Sequence, residues 1–288
     1  MLLDKSTWKT MRLVLALSCI FALCGPPLCQ GLEQKTLEVF AGAASKPATE
    51  EAAQLFEQTT GIRVLLHFGG SGKMLADMKL TGRGDIFFPG SSDFMELAKK
   101  EGLVQPQTEE RLIYLIPAIN VPKGNPKKIQ TLQDLTRPGV TLGIGRPDTV
   151  CVGVYAVEIL EKNKIATAAR PNIKTHAESC EKVAQLAALG MVDAVLGWSV
   201  FSNWNPDKIE TIFLKAQEIP RIGYIPIALS SPCKNPDAAR KFIAFLKTDE
   251  GRAIFKKWGY LVTEAEARKY VLAATPVGGT WDLPDSWR

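Results

Sequence analysis

The apolar positions of this chain switch repeatedly between two rhythms. Over 62–68, Ile62, Val64, Leu66 and Phe68 alternate with Arg63, Leu65 and His67, the two-residue period of a strand. Over 48–60, Ala52, Leu55 and Phe56 share one face at helical spacing, and Gly61 follows as the residue best suited to end a helix in the left-handed conformation. The same reading predicts strands over 36–41, 84–88 and 140–145. It predicts helices over 73–80, 92–101, 151–163 and 179–189, the last capped by Ser179 and closed by Gly190. Asn235-Pro236 opens a further helix, with Pro in its first turn. The tail from 275 has no clear periodicity and receives no element. A unit of strand, small-residue turn and helix that recurs in this way predicts an α/β fold with mostly parallel strands and ligands at their carboxyl ends.

The N-terminus stands apart from this pattern. Lys5, Lys9 and Arg12 precede an apolar run over 13–23 that is too short for a mature anchor, so 1–31 is expected to be a signal peptide cut near Cys29-Gln30-Gly31. The expected location is periplasmic or extracellular. Without that segment the net charge falls from +5 to +3, with 32 basic against 29 acidic residues, and no polybasic run carries interleaved aromatics. Nucleic acid is therefore not an expected partner. Cys19, Cys24 and Cys29 leave with the leader, so Cys151, Cys180 and Cys233 remain in an oxidising compartment. One disulfide and one thiol are possible, in three pairings.

Candidate chemistry gathers where strands meet helices. Gly42-Ala43-Ala44-Ser45, Gly69-Gly70-Ser71-Gly72, Asp148-Thr149-Val150-Cys151 and Ala177-Glu178-Ser179-Cys180 are all small or hydroxyl-rich. Helix N-termini carry free N–H donors and a positive dipole end, so several converging on one cleft bind an anion with little formal charge. Each junction taken alone is an ordinary tight turn. Lys46 and Lys73 flank the first two, where they either add charge or lie in solvent.

Catalytic patterns are thin. Gly69-Gly70-Ser71-Gly72-Lys73-Met74 lacks the hydroxyl that a phosphate-binding loop places after Gly-Lys, and its leading glycine is replaced by His67. The two histidines, His67 on a strand and His176 in a turn, suggest no zinc spacing, and no nucleophile elbow surrounds a serine. No enzyme activity and no cofactor are expected. A secreted enzyme on the same scaffold would need a titratable pair in the cleft.

Beside these readings, Leu37-Glu38-Val39-Phe40-Ala41-Gly42-Ala43, Glu57-Gln58-Thr59-Thr60-Gly61, Phe68-Gly69-Gly70-Ser71-Gly72, Gly84-Asp85-Ile86-Phe87-Phe88 and Pro147-Asp148-Thr149-Val150 occur in order. The chain over 36–262 thereby resembles the periplasmic molybdate-binding proteins of ABC transporters. The resemblance implies a type II binding-protein fold of two lobes joined by two β crossings, near 115–120 and 221–225. The first lobe would hold 32–117 and 225–262, the second 118–224, with 263–288 as an extension. It also implies a monomer that captures a tetrahedral oxyanion such as molybdate or tungstate and passes it to a membrane permease. Sulfate, phosphate or a small carboxylate is the alternative ligand.

By that resemblance the ligand-binding residues are Ala44, Ser45, Ser71, Gly72, Cys151, Val152, Gly153, Ser179, Cys180 and Trp198. Ser71 matches the family's second-loop serine, whereas Ala44 stands where the first-loop serine belongs. Trp198 replaces a tyrosine that would reach the anion. The five tyrosines are all separated, unlike the adjacent pairs of iron-binding relatives. In such a fold Cys151 and Cys180 begin helices on one cleft, so a disulfide between them is expected, with Cys233 free.

Overall fold

The computed structural model describes residues 36–288, so the expected signal peptide lies outside the described residues. Ten strands run through it: β1 (Thr36–Gly42), β2 (Arg63–Gly69), β3 (Ile86–Phe88), β4 (Glu110–Leu115), β5 (Pro117–Pro122), β6 (Leu142–Gly145), β7 (Ile173–Ala177), β8 (Ala194–Trp198), β9 (Ile209–Phe213) and β10 (Gly223–Leu229). They form two five-stranded sheets, ordered β2-β1-β3-β10-β4 and β7-β6-β8-β5-β9. In each sheet three strands pair in parallel and a fourth joins them antiparallel, β10 beside β3 in the first and β5 beside β8 in the second.

The chain passes between sheets twice. Only Ile116 separates β4 of the first sheet from β5 of the second, and β9 leads back to β10 through the segment that holds Arg221.

The helices flank these sheets as the periodicity predicts: α1 (Lys46–Thr60), α2 (Ser71–Thr81), α3 (Ser92–Lys100), α4 (Cys151–Lys162), α5 (Cys180–Ala188), α6 (Pro236–Lys247) and α7 (Asp249–Lys257). Gly61 ends α1 at φ 70°, and its N–H donates to the Glu57 carbonyl. Ser179 caps α5 by accepting from the Lys182 N–H. Helix α2 starts two residues before its expected first residue, which puts Ser71 and Gly72 in its first turn. Phe56, Phe87, Phe88, Phe242 and Phe255 are fully buried around the first sheet. Val150, Cys151, Tyr155, Cys180 and Trp198, from the second-sheet half, belong to the same apolar cluster, so packing is continuous from one half to the other.

One expectation is corrected here, and the unassigned tail acquires a place. His176 lies within β7 and not in a turn. The tail is ordered although it is aperiodic: Ile222 exchanges backbone bonds with Pro276 and Gly278, and Trp287 is buried beneath Arg170. A strap held by scattered residues such as Ile222, Arg221, Ser92 and Arg170 needs no repeating apolar pattern, which is why it carried no signal.

Candidate functional site

All four small-residue junctions meet where the carboxyl ends of the parallel strands of the two sheets face each other. The Gly72 N–H at the start of α2 donates to the Thr149 carbonyl at 2.8 Å, a direct bond from one half to the other. A Cβ placed on Gly70 would lie 2.7 Å from the Glu178 carbonyl and 2.9 Å from that of Thr149, so only glycine permits this approach. The third and fourth junctions are joined by the Arg146 N–H, which donates to the Ala177 carbonyl at 2.8 Å.

At the centre lie Ser71, Cys151, Cys180 and Trp198, each at most 2% exposed. Ser71 Oγ accepts from the Gly90 N–H at 2.9 Å. Gly90 in turn sits on Cys151, where an added Cβ would stand 2.5 Å from Sγ and 2.8 Å from Ala44 Cβ. Trp198 packs edge-on against Tyr155 with ring centroids 4.8 Å apart. The Trp198 indole N–H and the Tyr155 hydroxyl are both buried without a hydrogen-bond partner.

The expected disulfide is not formed. Cys151 Sγ and Cys180 Sγ lie 3.2 Å apart as two thiols in hydrogen-bond contact, against about 2.05 Å for a bonded pair. Burial pushes the Cys151 thiol well above the usual range and the Cys180 neighbour adds to this, while the Val152 N–H and the nearby Trp198 indole, whose N–H lacks hydrogen-bond geometry to the sulfur, oppose it. Cys233 is also a thiol, pushed up to about 11 by burial and by Asp85.

The remaining predicted residues divide. Ala44 borders the centre, its carbonyl accepting from the Tyr260 hydroxyl at 2.7 Å. Ser45 is buried one residue on, and its Oγ accepts from the Thr49 hydroxyl in the first turn of α1. Val152 is buried in the first turn of α4. Gly153 serves helix–strand packing, since a Cβ there would meet the Gly145 carbonyl at 2.4 Å. Ser179 acts as the cap of α5.

Neither flanking lysine supplies charge to the centre. Lys46 pairs with Glu181 at 2.9 Å, a second tie between the halves, and Lys73 pairs with Asp77 on its own helix. Asp85 accepts backbone N–H groups of Glu38, Lys234 and Asn235, and Glu178 pairs with Lys182 on the surface. Among the described residues, no group of three or more His, Cys, Asp or Glu is placed to hold a metal ion.

Two contributors escaped the sequence reading. Gly90 was detectable, because Phe88-Pro89-Gly90-Ser91-Ser92 repeats the pattern of strand, small turn and helix. Arg221 gave no local signal. It is buried between the halves, 2.7 Å from Glu158 on α4 and 2.9 Å from Asp93 on α3, stacks at 4.0 Å on Tyr155, and donates to the tail carbonyl of Gly279. Burial disfavours its charge, but Tyr155, Asp93 and Glu158 together hold its pKa above the ordinary arginine value.

Residues 37–261 match the family model for bacterial extracellular solute-binding proteins. The chain belongs to this family. It is 22% identical to the molybdate-binding protein ModA of Escherichia coli over 260 residues, 88% of this chain and 98% of the relative. The Azotobacter vinelandii periplasmic molybdate-binding protein superposes with a TM-score of 0.69 at 18% identity, over 79% of this chain and all of the other. The sulfate-binding protein SubI of Mycobacterium tuberculosis superposes at 0.67 with 16% identity, over 85% and 93% of the two chains. These likenesses establish the type II periplasmic binding-protein fold for this member of the solute-binding family.

Proposed function

We propose that this solute-binding protein captures a small oxyanion in the cleft between its two sheets, outside the cytoplasm, and delivers it to the permease of an ABC importer. One lobe comprises residues 36–117 and 225–262, the other 118–224. The observation that carries the reading is the convergence of helix starts at Ser71, Cys151 and Cys180 on one buried point between the halves. Their N-terminal dipole ends favour negative charge without a formal cation. Relatives named for molybdate and a neighbour named for sulfate support an oxyanion as the class.

The structure corresponds to the closed arrangement, with Gly72 bonded to Thr149 and Lys46 to Glu181 across the seam. Opening frees these groups and admits the solute; closure then requires contacts made only in the closed state.

A thermal-shift panel of molybdate, tungstate, sulfate, phosphate, chromate, arsenite and small carboxylates tests the proposal. A ligand of the folded state alone stabilises by RT ln(1 + [L]/Kd), about 4 kcal/mol at a thousandfold excess. The expected result is a saturable rise with one oxyanion or its conjugate acid. A flat response to the whole panel overturns the reading.

A further inference from the structure

We propose that Cys151 and Cys180 form a dithiol capture site for a trivalent, thiophilic oxo-acid, with arsenous acid as the matching species. This rests on the cleft being the capture site and narrows the solute within it.

The two thiols begin α4 and α5, so both belong to the second-sheet half, and Ala44, Ser71 and Gly90 cap them from the first. Opening therefore exposes the pair as a unit. On the ~2.3 Å scale of a zinc–thiolate bond, two sulfurs bonded to one centre stand about 3.3 Å apart when the angle between the bonds is close to a right angle, and about 4.6 Å apart when it is linear. The observed 3.2 Å matches the pyramidal geometry of trivalent arsenic and excludes a linear two-coordinate soft cation without rearrangement.

With no formal cation at the centre, a neutral oxo-acid is held by the helix ends without the cost of desolvating a dianion. Lys46 and Lys73 are engaged elsewhere, and Ala44 and Trp198 bring no hydroxyl to the centre. Arsenous acid carries no charge at neutral pH and needs no cation. Trp198 buries an unpartnered N–H beside Cys151, a donor suited to the oxygen that stays on arsenic, and Tyr155, packed against its ring, buries an unpartnered O–H. Burial keeps Cys151 protonated, which is the form the condensation consumes.

The step balances without an oxidant or reductant. Each thiol replaces one hydroxyl of As(OH)3: two As–S bonds form, two As–O bonds break, and the two thiol protons leave with the two hydroxyls as two waters. Arsenic stays trivalent with one hydroxyl. Release is hydrolysis of the same bonds.

The test uses the protein reduced with a phosphine, which does not compete for arsenic as a dithiol would. Arsenite is expected to bind one per chain, to raise near-ultraviolet absorbance through As–S bonds, and to shield Cys151 and Cys180 but not Cys233 from iodoacetamide. Cys151→Ser and Cys180→Ser should each weaken binding by more than about a hundredfold, and Cys233→Ser should leave it unchanged. Equal alkylation with and without arsenite, under conditions in which both thiols of the ligand-free protein react, overturns the proposal without recourse to any variant. So does a 151–180 disulfide in the native protein that the phosphine fails to open. If molybdate or sulfate raises the melting temperature while arsenite does not, the dithiol proposal falls and the oxyanion cleft stands. If nothing in the panel binds, both fall.

Discussion

Gly90 and Cys151 meet face to face across the seam, so that a single carbon added to Gly90 would lie 2.5 Å from the cysteine sulfur and 2.8 Å from the Ala44 methyl. The closed arrangement depends on that missing carbon. Gly90→Ala should cost about 1–3 kcal/mol through overpacking and abolish the ligand-induced melting shift, while the circular dichroism spectrum stays native. Cys151→Ala in the same chain should restore part of the lost stability, though not the ligand-induced shift. Small-angle scattering that shows identical closure in wild type and Gly90→Ala would refute this.

Ser71 offers a second handle. Its Oγ is oriented by the Gly90 N–H, at the start of a helix facing the centre. Ser71→Ala should weaken binding of the captured solute by about tenfold or more, the value of one hydrogen bond to a charged or strongly polar ligand. Titration calorimetry reads the change directly, and equal dissociation constants would remove Ser71 from the site.

Arg221 lies between Glu158 and Asp93, and its loss leaves two carboxylates buried without their partner. Arg221→Met should destabilise the protein by about 3–5 kcal/mol in urea unfolding. Arg221→Lys should not rescue it, because an ammonium cannot span both carboxylates and stack on Tyr155 as the planar guanidinium does. Full recovery with lysine would contradict this account.

Removal of the tail after Ala274 should lower the melting temperature. The truncation deletes the Pro276 and Gly278 bonds to Ile222, the Gly279 carbonyl on Arg221, and buried Trp287. Burial of Trp287 alone accounts for roughly 2 kcal/mol. An unchanged melting temperature in the shortened chain would show the strap to be energetically idle.

Stability should also fall in acid. The Asp134 carboxyl is held below its ordinary 3.8 by the Gln130 N–H, with burial opposing and the Thr131 hydroxyl and N–H assisting. A depressed folded value means that this contribution is fully present above about pH 3.8 and is lost as the pH falls through the lowered value. Asp134→Asn should therefore lower stability at neutral pH and flatten its dependence below pH 4. Parallel profiles of mutant and wild type would refute the assignment.

The sequence exposed those parts of the fold that repeat. Ile62, Val64, Leu66 and Phe68 announce β2 by alternation, and Gly61 and Ser179 mark helix ends through local chemistry that tertiary packing has no reason to override. The site junctions were visible on the same basis, as small residues at helix starts. What stayed hidden depends on partners far along the chain. Arg221 is one residue in a loop until Glu158 and Asp93 close around it, and Cys151 and Cys180 become a pair only when two helix starts converge. The family resemblance implied that these sulfurs are near one another, not whether a bond joins them.

The order of strands in the first sheet has a consequence for assembly. Its β10 strand, set between β3 and β4, consists of residues 223–229, whereas every strand of the second sheet lies within residues 117–213. The second sheet therefore closes from one continuous stretch, and the first stays open along the edge of β3 until nearly four-fifths of the chain is present. A chain that folds as it emerges completes its middle before its beginning, and the exposed β3 edge is its point of greatest risk for aberrant pairing.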